Sequence, residues 1–177
     1  MRRNNVRPNL SMLVAAAALL GTATVSVVAA PVKIDAVVSP KEEIRLAFAD
    51  GSKHFVSMIQ REGKATGQGL LSGAAVTEYG RHDITPGIGG DAGGYLVFAL
   101  PDGDVAYVKW VIRAVFVPGP GGKPKLLDNG VWEVVSGTGK LKGLQGAGTL
   151  HIEFPSKTDR SFILEGELVP ATAGGKK

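Results

Sequence analysis

The sequence predicts an all-β protein: a single antiparallel eight-stranded β-barrel over residues 30–169, preceded by a signal peptide. Three observations carry that reading. Apolar residues beyond position 30 recur with period two, as on strands that bury one face. Turn-forming Asp-Gly and Pro-Gly steps separate the apolar runs. No stretch beyond position 30 carries a convincing helical stripe. A meander of this size hides its apolar face by curling closed or by folding into a sandwich.

Residues 1–29 read as an export leader. Arg2, Arg3 and Arg7 precede a run without charge, and the small side chains Val27 and Ala29 suit cleavage after Ala29. The run approaches the length needed to span a bilayer. Its Ala, Thr and Ser content nevertheless favours a cleaved leader over an anchor. The expected location is secreted or periplasmic, with no membrane attachment after cleavage. The chain has no cysteine, so disulfides and cysteine lipidation are excluded. It carries 20 Lys+Arg against 16 Asp+Glu; three of the arginines and no acid lie in residues 1–29, leaving 17 against 16. So near-neutral a balance gives no support for a nucleic-acid partner. Residues 170–177, small and basic, are expected to be a disordered tail.

The strands follow from alternation. Ile44, Leu46 and Phe48 are separated by Arg45 and alanines. Ala106, Val108, Trp110, Ile112, Ala114 and Phe116 share one face, opposite Tyr107, Lys109 and Arg113. Leu150, Ile152 and Phe154 alternate with Thr149, His151 and Glu153, and Phe162, Leu164 and Leu168 oppose Ser161, Glu165 and Glu167. About eight strands result, near 33–38, 42–49, 54–62, 69–79, 94–100, 104–117, 131–137 and 147–154, with 160–169 closing or extending the sheet. Straight, the run 104–117 would measure about 45 Å, so a bend or bulge is expected in it. Residues 80–94 show no regular pattern and read as a long loop, the place to look for function.

Glycine makes up 25 of 177 residues, about twice the usual share. Gly137, Gly139, Gly143, Gly146 and Gly148 cluster in Val131–Leu150 between two alternating runs. They read as structural turn and close-approach glycines. The string SGTGKLKGLQGAGTLHIEF resembles the glycine-rich hairpin of the allene oxide cyclase barrel-like proteins, a group that includes the dirigent-like barrels. Gly137-Thr138-Gly139, Leu141, Gly143 and Gly146 fit the pattern; Ser136 and Leu141 replace its usual glycine and frequent aromatic. His82 to Asp104 also resembles secreted bacterial members of that group. The likeness covers roughly residues 80–168. It implies an eight-stranded barrel whose apolar interior admits a hydrophobic small molecule.

Catalytic signals are sparse. GTGKLKG lacks the spacing of a phosphate loop, and no helix follows its glycines. His54, His82 and His151 share no short metal-binding spacing, so neither a metal nor another cofactor is expected. Asp102 and Asp104 fit a hairpin turn better than a calcium loop. His82 and Asp83 are weak catalytic candidates as an acid/base pair at a barrel mouth; the plainer reading is a rim histidine and a turn-capping aspartate. Phe48, Phe98, Val108, Trp110, Ile112 and Trp132 are the candidate pocket lining.

Three classes of function fit. The first is a binder of a hydrophobic small molecule, or an accessory protein. The second, implied by the resemblance, is an isomerase or cyclase acting on an unsaturated or epoxidised lipid. The third is a homo-oligomeric interaction module using the outward valines Val105, Val111, Val115 and Val117. Catalysis is left open, with the balance against it.

Overall fold

The computed structural model describes residues 29–170. The expected leader, apart from Ala29, and the tail beyond Pro170 lie outside these residues. Eight strands form a closed antiparallel barrel in simple meander order: β1 (Ala30–Ala47), β2 (Phe55–Gln68), β3 (Ala75–Thr85), β4 (Gly89–Ala99), β5 (Val105–Pro118), β6 (Pro124–Gly137), β7 (Gln145–Glu153) and β8 (Arg160–Val169). Closure comes from β1, which pairs with β2 on one side and with β8 on the other. Every strand therefore has two neighbours, and no sheet edge is left to pair with another chain. Among the described residues no helix is long and apolar enough to cross a membrane.

The two ends differ. At one end the turns after β2, β4 and β6 fold Leu71, Leu100, Leu141 and Leu144 inward, and all four are buried. This end is the base. The turns after β1, β3, β5 and β7 surround the other end, the mouth.

Mid-barrel packing rests on two tryptophans and the glycines beside them. Trp110 of β5 lies opposite Trp132 of β6. In the strands flanking this pair, Gly94 lies opposite Trp110 and Gly148 opposite Trp132. Gly80 and Gly166 continue the row outward. A Cβ on Gly166 would stand 2.9 Å from Trp132 Cζ2 and 2.8 Å from the Gly148 Cα. The missing side chain at Gly166 thus gives the Trp132 indole its room. Trp110 sits edge-on to Phe162 at 5.1 Å between centroids. Trp132 Nε1 donates to the Glu165 carbonyl at 3.3 Å.

Several expectations are corrected. The separate strands near 33–38 and 42–49 are one strand, β1, with Lys41 as an extra residue between Pro40 and Glu42 in its pairing with β2. A bulge inverts the alternation beyond it. Val32, Ile34, Ala36 and Val38 point inward, yet beyond the bulge Glu43 and Arg45 face in. Ile44 and Leu46, expected on the buried face, are 80% and 61% exposed. Residues 80–94 are a paired hairpin in place of a long loop. The chain turns at Thr85-Pro86-Gly87-Ile88, where Ile88 N–H donates to the Thr85 carbonyl at 3.0 Å and Gly87 takes φ 82°. Proline followed by a left-handed glycine is type II turn chemistry. The strand expected at 69–79 begins at Ala75, and the one near 131–137 begins at Pro124. The bulge expected in 104–117 lies in the neighbouring strand instead: the β5–β6 register shifts between Tyr107 and Val108 because β6 carries the extra residue, Val135.

Replacing Gly166 with Ala is expected to destabilise the barrel by about 1–3 kcal/mol through overpacking against Trp132. Urea denaturation followed by far-ultraviolet dichroism measures it; an unchanged midpoint would contradict this packing.

Candidate functional site

Above the tryptophan layer the barrel is not filled. A cavity of about 310 Å³ opens at the mouth, within the lower range of ligand pockets. Its wall is apolar: Ile59, Ile84, Ile112, Ala114, Ile152 and Phe162 are among the lining side chains. Polar groups also enter it, and each does so because strand parity points it inward.

Arg61 of β2 lies opposite Glu78 of β3, both inward. Arg61 Nη1 donates to Glu78 Oε2 at 2.6 Å, and the residues are only 5% and 0% exposed. Glu78, Gly80 and His82 are successive inward positions on β3. A Cβ on Gly80 would stand 3.0 Å from His82 Nε2 and overlap the Glu78 carboxylate. Its absence lets Glu78 Oε1 and His82 Nε2 approach to 3.5 Å across the gap. The His82 ring also lies 6.2 Å from the Trp110 ring.

On β6, Asp128 faces Ala114 of β5 and lines the cavity. Burial raises its carboxyl pKa above the usual aspartate value, with His82, Arg160 and His151 pulling the other way. Arg160, the first residue of β8, also lines the cavity, and its Nη1 donates to the Asp159 carbonyl at 2.7 Å. Burial, and then the charge of Arg61, lower its pKa. Three lining residues carry a buried polar atom without a hydrogen-bond partner: Arg61 Nε, His82 Nε2 and Asp128 Oδ1. Buried polar atoms are ordinarily satisfied, so three on one cavity mark a place where a ligand or water completes the bonding.

The candidate residues read from sequence divide clearly. Ile112 lines the cavity. Phe98, Val108, Trp110 and Trp132 are buried in the packed core. Phe48 is 40% exposed and stacks on His54 at 4.0 Å, away from the cavity lining. His82 and Asp83 are not a pair: neighbours on a strand point to opposite faces. Asp83 instead meets His54 Nε2 at 2.6 Å on the barrel exterior. His151 also faces outward and contacts Asn129 Oδ1 at 2.9 Å.

The clustered glycines have distinct jobs. Gly139 and Gly143 adopt φ 49° and 76° in the turn before β7. At Gly137, Gly146 and Gly148 a Cβ would overlap a facing carbonyl oxygen.

Arg61, Glu78, Asp128 and Arg160 are the polar residues that reading by pattern missed. Arg61 and Glu78 occupied inward parity beside apolar neighbours, which is the signal that could have found them. Among the described residues no three His, Asp or Glu side chains are arranged to hold a metal ion.

Fold and site together define a closed eight-stranded barrel, packed at its base, with a one-ended cup lined by apolar walls above a charged floor. No family model, curated protein or solved structure matches the chain.

Two stability tests follow from the floor. Arg61→Met leaves Glu78 buried without its partner and is expected to cost about 3–5 kcal/mol, whereas Arg61→Met combined with Glu78→Leu should recover most of that loss. Equal losses in the single and double variants, measured by chemical denaturation, would contradict the pairing. Asp128 has a folded-state pKa above its unfolded value, so the folded state binds its proton more tightly. Its stabilising contribution is full below the unfolded pKa and is lost as pH rises through the folded one. Asp128→Asn should therefore be more stable than the unmodified protein at pH 7, with the difference shrinking as pH falls toward 4.

Proposed function

We propose that this protein binds a hydrophobic small molecule inside its barrel and is exported to the periplasm or beyond to do so. The observation that carries the binding reading is the open upper half of the barrel. A structural barrel could fill this space with side chains, as the lower half does with Trp110, Trp132 and Phe98. Instead alanines stand at 92 and 114 in the wall, and the cavity reaches the mouth. Concave apolar sites with a few convergent polar groups are the usual form of small-molecule sites. Export rests on the basic, then uncharged, then small-residue pattern of residues 1–29. Kinship with the allene oxide cyclase barrel-like group rests on the Gly137–Gly146 hairpin and is supported by the eight-stranded meander.

An isomerase is the second reading, favoured by one observation. Asp128 presents a carboxylate oxygen without a hydrogen-bond partner at the edge of an apolar cavity. A carboxyl group with a raised pKa in such a place is suited to moving a proton. Its signature would be turnover lost in Asp128→Asn while binding persists.

The binding reading predicts that N-phenyl-1-naphthylamine, a neutral dye that brightens in apolar surroundings, gains fluorescence with the protein and competes with hydrophobic ligands. Ala114→Trp fills the upper wall and should weaken dye binding at least tenfold without loss of the β-sheet dichroism signal. Undiminished binding by that variant would place the dye elsewhere and remove the cup from consideration.

A further inference from the structure

Some of the charges facing the cup are held in pairs, and among the described residues two lining cations, Arg160 and Lys157, have no carboxylate oxygen within 4.0 Å. Arg45 pairs with Glu43 at 3.4 Å near the rim, where its guanidinium lies 3.6 Å from the Phe55 ring centroid. Arg61 pairs with Glu78 at the floor. Arg160 is different. Among the described residues no carboxylate oxygen comes within 4.0 Å of its guanidinium. It is held by the Asp159 carbonyl and by the face of Phe154, 4.5 Å from its guanidinium carbon. The Asp159 carboxylate accepts from Thr158 Oγ1 at 3.4 Å.

Arg61 and Arg160 flank the same stretch of β1. Arg61 lies opposite Pro40 from the β2 side, and Arg160 opposite Val38 from the β8 side. Both line the cavity, and Arg61 Nε is buried without an acceptor. Two guanidinium groups with spare donors therefore face one partly dry space. Guanidinium forks match planar oxyanions, and such bonds are stronger than those between neutral groups. The remaining charges set a limit on the anion. Glu78, and Asp128 when ionised, would repel a dianion; with Asp128 ionised, the unpaired cations Arg160 and Lys157 exceed the unpaired carboxylates by one, which suits a single negative charge. His82 lies on the same side of the floor, Lys157 is at the rim, and β4 and β5 contribute no charge to the wall.

Resting on the open-cup reading, we propose that the cup is a receptor for a small monocarboxylic acid. Its carboxylate seats on Arg160 and Arg61, and its hydrocarbon body lies along Ile112, Ile152 and Phe162. The anion occupies donors that the protein leaves unfilled, and the apolar body displaces water from the wall.

The test is titration calorimetry at pH 7 with octanoate, octan-1-ol and octyl phosphate, which share one tail and differ in the head. Octanoate is expected to bind at least tenfold tighter than octan-1-ol and tighter than octyl phosphate. Arg160→Gln should abolish the preference for octanoate over octan-1-ol, and Arg160→Lys should restore part of it. Equal binding of octanoate and octan-1-ol would overturn the carboxylate assignment and leave the cup standing. Tighter binding of octyl phosphate would replace a monocarboxylate with a phosphate. Binding of none of the three would overturn both the acid receptor and the open cup. The comparison of heads on the unmodified protein decides the matter even if an Arg160 variant fails to fold.

Discussion

The Trp110–Trp132 pair divides this barrel into a solid base and an open cup. Two indoles on neighbouring strands fill the middle of the interior in a row with Gly80, Gly94, Gly148 and Gly166, and a side chain at Gly166 would collide with Trp132. The base below is sealed by four leucines drawn from three separate turns. The polar groups of the floor then lie against a packed aromatic layer and not against solvent. Gly80 serves both regions. It belongs to the glycine row, and its missing side chain is also the gap across which Glu78 and His82 meet.

The floor is expensive to build. An ion pair as dry as Arg61–Glu78 loses much of its hydration, and its mutual attraction recovers that loss only with good geometry and further hydrogen bonds. The geometry is good at 2.6 Å, but Arg61 Nε and Glu78 Oε1 have no other partners. Hydrophobic residues of similar size would give a barrel at least as stable. Charges retained beside an open cavity, with bonding capacity unfilled, fit a site shaped for recognition better than one shaped for stability. That distinction separates this upper half from the apolar packing of the base.

Much of the architecture was legible in the sequence, because period-two alternation survives wherever a strand has one wet and one dry face. Ala106 to Ala114 could be read in this way, and so could Leu150 to Ile152. Alternation fails where the inward residues are not apolar. On β3 the inward series Val76, Glu78, Gly80, His82, Ile84 contains an acid, a glycine and a histidine, so its later part resembled a loop. The pocket residues were hidden for the same reason: pattern reading equates inward with apolar, and this floor is charged. The aromatics it favoured, Phe98, Trp110 and Trp132, are inward but lie in the filled region. No alternation pattern distinguishes a side chain that fills a barrel from one that lines a cavity in it.

The β1 bulge shows how one residue sets the character of the mouth. Were Lys41 paired regularly, without the bulge, the parity that buries Val32 to Val38 would continue through Ile44 and Leu46, and the upper cup would gain two more aliphatic side chains. With it, Glu43 and Arg45 take the inner face and the aliphatics turn to solvent. The rim is thereby polar above an apolar wall. A molecule in the cup meets hydrocarbon on Ile112, Ile152 and Phe162 and charge on Arg45, Arg61 and Arg160. Charge beside apolar surface favours a ligand that is itself divided into a polar head and an oily body. An entirely apolar guest would leave the donors at the floor unfilled, which is the larger of the two penalties.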